Sequence, residues 1–434
     1  MFPIRLFAGL AGFFGDRRIS RNFAYRAAIL ASTGILSLAA VAEVELTQSS
    51  LEFSGFGTLG VVQTDTNHAE FARDQSQQKG AKKQLTANQD TLFGAQVYFR
   101  ASDSLEFVVQ GVSRYGPTIN YRPELMAAFA KIALSPNISA RIGRMGVEFY
   151  MLADSRLVGY SYLPVRPPVD FFAILPFQFV DGADFSATVP VGNGVLRGKA
   201  FLGVSHEKAP IYDEFLSMNE NLLAGGYLDF HSGNWQWRAT YAQMTFKHEF
   251  PAPVSTLIDS LHQAGMLGFQ SAENAANQLS VTNTTSRYYS IGVVYDRGPI
   301  QLQGMLSEIR NESYVRQNGR AGYLIGGYRL GEFTPFAAYS WNRSHARSLS
   351  SGLPDVVPAF AAINAGLNTL LARTHLDQHT VSLGTRWDFR RNMALKGQVD
   401  MIRGKPDSIF LYPANDAEFN GKLNVYSLAL DFVF

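Results

Sequence analysis

The chain ends Tyr426-Ser427-Leu428-Ala429-Leu430-Asp431-Phe432-Val433-Phe434. Every second residue, Tyr426, Leu428, Leu430, Phe432 and Phe434, is apolar, while Ser427, Ala429 and Asp431 point the other way. A spacing of two is the period at which strand side chains change faces. A strand with a wholly apolar face that closes the chain on an aromatic residue needs either a core or a lipid phase against that face.

The same pattern recurs upstream. Phe93, Ala95, Val97 and Phe99 alternate with Gly94, Gln96, Tyr98 and Arg100; Trp235, Trp237, Ala239 and Tyr241 alternate with Gln236, Arg238 and Thr240. Val381, Leu383, Thr385, Trp387 and Phe389 alternate with Ser382, Gly384, Arg386 and Asp388. Arg and Gln in mid-strand, opposite an aliphatic and aromatic face, indicate water on one side and lipid on the other. Half of a soluble β-sandwich alternates in the same way. The number of strands, the rings gathered near segment ends and the N-terminal segment decide against it.

Seven connections are tight: Ser102-Asp103-Ser104, Ser135-Pro136-Asn137, Gly192-Asn193-Gly194, Ser232-Gly233-Asn234, Arg297-Gly298-Pro299, Leu330-Gly331-Glu332 and Arg390-Arg391-Asn392. Their residues suit short hairpin turns. Between them lie eight longer connections, near 65–89, 116–122, 147–178, 207–221, 249–283, 313–319, 346–375 and 404–418. Long and short alternate, which predicts a 16-stranded antiparallel transmembrane β-barrel with short periplasmic turns and long extracellular loops, both chain ends on the short-turn side. Closure is required because an open sheet edge in hydrocarbon leaves backbone groups unsatisfied.

The 434 residues are 46% hydrophobic but only 17% charged, with no Cys. Soluble domains carry about 25% charge, and a helical membrane protein needs repeated apolar runs of about 18 residues or more. Neither pattern is present. The missing Cys excludes disulfide frameworks, thiolate metal sites and cysteine nucleophiles.

Ala27 to Ala42 is uncharged, follows Arg17, Arg18, Arg21 and Arg26, and ends in the small-x-small triplet Ala40-Val41-Ala42. This is the order of an export signal, so residues 1–42 are expected to be a signal peptide cleaved between Ala42 and Glu43, leaving 43–434 as the barrel. Five Arg and one Asp leave with it, and the net charge falls from +2 to −2. No basic field remains that would favour nucleic acid.

The terminal Phe434 resembles the C-terminal signature by which Gram-negative outer-membrane proteins are recognised for assembly. Leu51-Glu52-Phe53-Ser54-Gly55-Phe56-Gly57-Thr58-Leu59-Gly60 resembles the glycine-rich first strand of the general porins. Arg141-Ile142-Gly143-Arg144, Asp154-Ser155-Arg156, Val158-Gly159-Tyr160, Val165-Arg166-Pro167-Pro168 and Asp181-Gly182-Ala183-Asp184 are similar to a group of Gram-negative porins. The resemblance spans nearly all of 43–434. It implies a homotrimer of 16-stranded barrels in the cell outer membrane, lipid around each barrel, the barrel assembly machinery as a partner during biogenesis, and a third long loop, here 147–178, folded inward as a constriction. The Pro-Glu-Phe-Gly-Gly tip of enterobacterial porins is absent from that loop.

Strand parity places Arg114, Arg141, Arg197, Lys199, Arg238, Arg386 and Lys396 on the lumen face, since a charge on the lipid face costs about 2–4 kcal/mol at midplane. Asp154 and Asp170, with Arg156 and Arg166 beside them, lie in the constricting loop. Two arrangements follow: a transverse field between a basic wall and loop carboxylates, or salt bridges that hold the loop. The function this predicts is passive diffusion of small hydrophilic solutes and ions, without cofactor, metal or covalent chemistry. An anion-preferring, substrate-specific channel is the second reading, and an outer-membrane barrel enzyme the third, though no nucleophile motif supports it. Too few residues separate the cleavage site from the first strand for the plug of an energised transporter. His375 and His379 read as loop histidines. Pro251–Asn277, with Leu257, Ile258, Leu261 and Met266, reads as an amphipathic helix at the outer mouth or in the lumen, and Pro358–Ala372 has a helical cast.

Overall fold

The computed structural model describes residues 50–434, apart from 78, 117–118, 152, 154, 174–177, 212–213, 346, 407–411 and 414–417. The expected signal peptide, with Ala42 and Glu43, lies outside the described residues, as does Asp154.

Sixteen antiparallel strands close into a barrel. In chain order they are β1 (Ser50–Thr64), β2 (Leu92–Ser102), β3 (Leu105–Arg114), β4 (Pro123–Ser135), β5 (Ile138–Gly146), β6 (Phe179–Val191), β7 (Gly194–Ser205) and β8 (Asn221–Ser232). The second half comprises β9 (Trp235–Thr245), β10 (Thr285–Arg297), β11 (Ile300–Asn311), β12 (Gly319–Tyr328), β13 (Phe333–Ser344), β14 (Asp377–Arg390), β15 (Met393–Gly404) and β16 (Lys422–Val433). Each strand pairs with its sequence neighbours, and β16 returns to β1 with Phe56 opposite Val433 and Thr64 opposite Val425. All seven tight turns fall where their residues place them. Gly233 and Gly298 take φ near +58° and +56°, a left-handed conformation that a side chain resists. The third connection, 147–178, has the expected bounds, and the others differ by at most about three residues, the usual error for strand ends.

Closure joins the first strand to the last, and its packing explains why β1 is rich in glycine. Gly55 and Phe434 exchange backbone hydrogen bonds of 2.8 and 2.9 Å. The Phe434 ring covers Gly55 and the Phe432 ring covers Gly57, so a Cβ at either glycine would collide with an aromatic ring. The terminal aromatics therefore lie flat against the seam on its outer side.

Outside the barrel, alternate residues present bare hydrocarbon: Leu228 is 55% exposed, Ile291 60% and Leu324 58%. A continuous apolar wall of this kind far exceeds what water-soluble surfaces carry and fits a hydrocarbon surround. Rings band the tight-turn end, where Trp235 lies 4.5 Å from Tyr295 and 5.6 Å from Trp237, and Phe333 stacks on Trp387 at 5.5 Å. Such amphipathic rings favour the level of lipid headgroups. Among the described residues no helix is long and apolar enough to cross a membrane.

Inside, the long loops pack against inward-facing side chains. Among the described residues four α-helices lie in them: the single turn α1 (Val169–Phe172), then α2 (Val254–Met266), α3 (Gln270–Leu279) and α4 (Pro358–Arg373). Ile258 and Leu261 of α2, Ala272 and Leu279 of α3, and Leu367 and Leu370 of α4 are buried in one apolar cluster with Phe171, Phe172 and Tyr323. Met266, grouped with the buried stripe of α2 by sequence, is instead 79% exposed. It closes the last turn of the helix, where the chain turns at Gly268 into α3, and no element covers it there.

Candidate pore constriction

The chain leaves β5 at Gly146 and re-enters the wall at Phe179. Between them the third loop runs inside the barrel, touching inward-facing residues of most of its strands. Apolar side chains anchor its start and end. Tyr150, Phe171 and Phe172 pack together and against Tyr323, with centroid separations of 4.8 to 5.7 Å, and Tyr150 also meets Tyr288. Buried aromatic pairs of this sort add about 0.5–1.5 kcal/mol each beyond area burial.

Charged anchors fix the loop's orientation. At its start, Glu148 accepts from Arg141 at 2.6 Å, from Lys199 at 2.7 Å and from the Tyr227 hydroxyl at 2.7 Å. Arg141 also holds Asp184 through its Nε, and Arg238 forms a two-pronged pair with Asp229 at 2.7 Å while donating to the Tyr150 carbonyl. Arg197 stands in the same group and interacts electrostatically with Glu148 and Asp229. Four cations from β5, β7 and β9 thus surround three carboxylates.

On the opposite wall the loop's carbonyls are gripped. Lys396, fully buried, donates to Gly159 and Tyr162 at 2.6 Å and to Pro164 at 3.0 Å, and it pairs with Asp431 at 3.0 Å. Arg386 donates to the Tyr160 and Tyr162 carbonyls and stacks over the Tyr160 ring. Gly159 is necessary here, because a Cβ would overlap Asp431 Oδ1 and Thr58 Oγ1.

Arg166 is 1% exposed and holds Asp90 of the first long loop with two bonds, Asp400 of β15 at 2.8 Å, and Ser427 of β16. Replacing Arg166 would leave the buried Asp400 without its ion-pair partner, at a cost of about 3–5 kcal/mol. Arg73 joins the same knot, donating to the Arg156 carbonyl and the Tyr162 hydroxyl. Asp170 accepts from Ser340 at 2.5 Å and from Gln378, and its carbonyl accepts from Asn342.

At the loop's end, Glu207 from the fourth long connection accepts from the backbone N–H groups of Gln178 and Phe179. Burial pushes its carboxyl up to about 7, against the pull of those two N–H groups.

Of the residues singled out by sequence, Arg141, Arg197, Lys199 and Arg238 come together on one wall, Arg386 and Lys396 on the other. Arg114 is held apart by Asp74 at 3.2 Å, and Arg156 bonds Gln178. Asp170 meets uncharged donors rather than the cations of the wall. The loop carboxylate that does face those cations is Glu148, two residues beyond the end of β5, which sequence reasoning passed over. Asp184, Asp229 and Asp431 were also missed, although parity with Arg141, Arg197 and Lys396 on paired strands would have found them. Among the described residues no group of three metal-ligating side chains occurs; His375 lies beside Ser344 and Lys405.

No protein-family model matches the chain, and no curated protein matches it by sequence. Solved barrels do match its structure. The anion-selective porin from Comamonas acidovorans is similar at TM-score 0.52 and 11% identity, over 89% of this chain and 100% of that one. The outer membrane channel DcaP of Acinetobacter baumannii gives 0.52 and 12% over 91% and 100%, and OmpT, an outer membrane protein of Vibrio cholerae, 0.53 and 11% over 91% and 100%. The chain shares the closed 16-stranded fold of these outer-membrane barrels.

Proposed function

We propose that this protein is a porin of the Gram-negative outer membrane, through which small hydrophilic solutes and ions diffuse passively. The observation that carries the reading is a closed barrel with an apolar outer wall and an inner wall of paired charges, into which the third long loop runs. A lumen built this way offers water-facing polar groups to a solute and needs no cofactor and no covalent step. Selection comes from the charges at the narrowest point, where the loop 147–178 sets the constriction, Arg141, Arg197 and Lys199 face Glu148 on it, and Arg238 holds Asp229 and the Tyr150 carbonyl beside them.

The surplus of cations in that group favours anions, which supports an anion-preferring channel as the second reading, in line with the named selectivity of the Comamonas porin. Export by the segment 1–42, delivery to the barrel assembly machinery and assembly as a homotrimer belong to the same proposal. The outward faces of β1–β4 carry no charged side chain, an apolar arc on which protomers could meet within the membrane.

Planar-bilayer recording of the purified mature barrel tests the function. Discrete, nearly ohmic steps with a reversal potential displaced toward the anion in a salt gradient are expected. A folded barrel that never conducts would overturn the porin reading and turn attention to hydrolysis at the membrane rim.

A further inference from the structure

The sixth long connection, residues 312–318 between β11 and β12, is tied to the helices on both sides of it. Ser313 donates to the Leu279 carbonyl at 2.7 Å and the Tyr314 N–H to the Gln278 carbonyl at 2.8 Å, at the C-terminal end of α3. Gln317 donates to the Leu371 carbonyl at 2.8 Å, in the last turn of α4. Helix C-termini carry partial negative charge and attract cations. These carbonyls are nevertheless taken by Ser313, Tyr314 and Gln317, and Arg316 between them takes none.

Arg316 instead lies over the Phe246 ring, 5.6 Å from its centroid. Phe246 follows β9 in phase with the inward-facing Ala242 and Met244, and is buried in the apolar cluster that joins the loop helices to the barrel wall. The guanidinium is therefore on the lumen side, at the long-loop end. It makes no hydrogen bond and no ion pair, and its nitrogens still reach solvent. Arg141, Lys199, Arg238, Arg386 and Lys396, by contrast, are all hydrogen-bonded within the protein. The carboxylates of the adjoining loops are engaged elsewhere: Glu312 with Arg287, Glu273 with His262, and Glu249 with Ser280 and the Val281 N–H.

Burial brings the Arg316 pKa down from 12.5 to about 10, with no charged group close enough to oppose it. That is still far above neutrality, so the side chain is a cation whose donors are unused. An uncompensated charge in such surroundings is costly, and an anion seated on it removes the cost. The guanidinium fork matches a planar carboxylate with two parallel N–H donors. One guanidinium balances one negative charge, so a phosphate dianion would leave a second charge uncompensated. Phe246 and Val315, both buried, make the surroundings apolar, which suits an organic acid with a hydrocarbon body better than a fully polar anion.

We propose that Arg316 forms a binding site for the carboxylate of a small organic acid with an apolar body, on the lumen side of the long-loop end and apart from the Glu148 group. The inference rests on the porin reading for the route by which such a solute arrives, and it names a solute class within that reading.

The test uses the folded full-length barrel in neutral detergent, with benzoate as the probe, benzamide as its uncharged isostere and inorganic phosphate as the fully polar anion, read by calorimetric titration and thermal unfolding at neutral pH. Benzoate should bind and raise the unfolding temperature, and both comparison ligands should bind at least about tenfold more weakly. Arg316→Gln should weaken benzoate binding about tenfold. Without benzoate, the same variant should unfold at no lower a temperature than the parent, because an unpaired cation is gone. Arg316→Lys keeps the charge but loses the fork, and its affinity should fall between the two. Equal binding of benzamide, equal or tighter binding of phosphate, or parental benzoate affinity in Arg316→Gln would overturn the proposal. Because binding is read without conduction, a barrel that conducts but ignores benzoate sinks this inference alone, and one that binds benzoate through Arg316 but never conducts sinks the porin reading alone.

Discussion

Gly159 presses its α-carbon against the carboxylate of Asp431, so closely that no side chain fits between them. One residue belongs to the loop that crosses the lumen and the other to the last strand, and their contact fixes how near the loop approaches the wall. Lys396 completes the arrangement by bonding Asp431 and the Gly159 carbonyl together.

Replacing Gly159 with Ala should therefore push the loop off β16. Overpacking of a closed site costs about 1–3 kcal/mol, and the barrel is expected to stay folded while the grip of Lys396 on the loop weakens. Single-channel conductance should change in step size and become noisier. A variant with parental conductance and parental unfolding temperature would show that the contact is slack.

Glu148 neutralises Arg141 and Lys199. Glu148→Gln removes that charge and leaves Arg141 and Lys199 to share Asp184, a net gain of one positive charge, so the reversal potential in a salt gradient should move toward anion selectivity. Loosening of the loop's first turn should accompany it, seen as faster proteolysis within 147–178.

The reverse substitution acts on the other partner. Arg141→Gln with Arg238→Gln leaves Asp184 and Asp229 without their strongest counter-charges, and selectivity should shift toward cations. Unchanged reversal potentials would defeat the assignment of these arginines to the conduction path.

Glu207 gives a pH dependence. Its carboxyl is raised by burial to about 7 in the folded chain, above its ordinary value of about 4.5. Between those two values the folded state holds a proton that the unfolded state has released. Stability contributed by the neutral carboxyl is present in full below about 4.5 and is lost as pH rises through about 7. Glu207→Gln, which stays neutral, should unfold at a higher temperature than the parent above pH 7 and flatten the dependence between pH 5 and 7. Parallel curves for parent and variant would exclude this role.

The strands, their order and their turns were legible because each rests on local information. Alternation at a spacing of two assigns a face to each side chain, and Gly, Asn, Ser and Pro mark where the chain must reverse. The lumen face of Arg141 follows from parity alone, and closure follows from the cost of an open edge in hydrocarbon. The charged partners were not legible. Arg166 meets Asp400 across 234 positions and Ser427 across 261, and Asp170 meets Ser340 across 170; nothing local distinguishes these partners from other polar residues on neighbouring strands.

The sequence by itself determined a sixteen-stranded barrel and the side of the wall on which each strand residue lies, and its resemblance to the porins pointed to the third long loop as the one that enters. Only the tertiary structure decided which wall that loop touches. Strand parity is set by backbone geometry within a few residues, whereas the loop's place is set by closed-lumen packing, where Gly159, Lys396 and Arg166 meet groups that the chain brings near only when the barrel shuts.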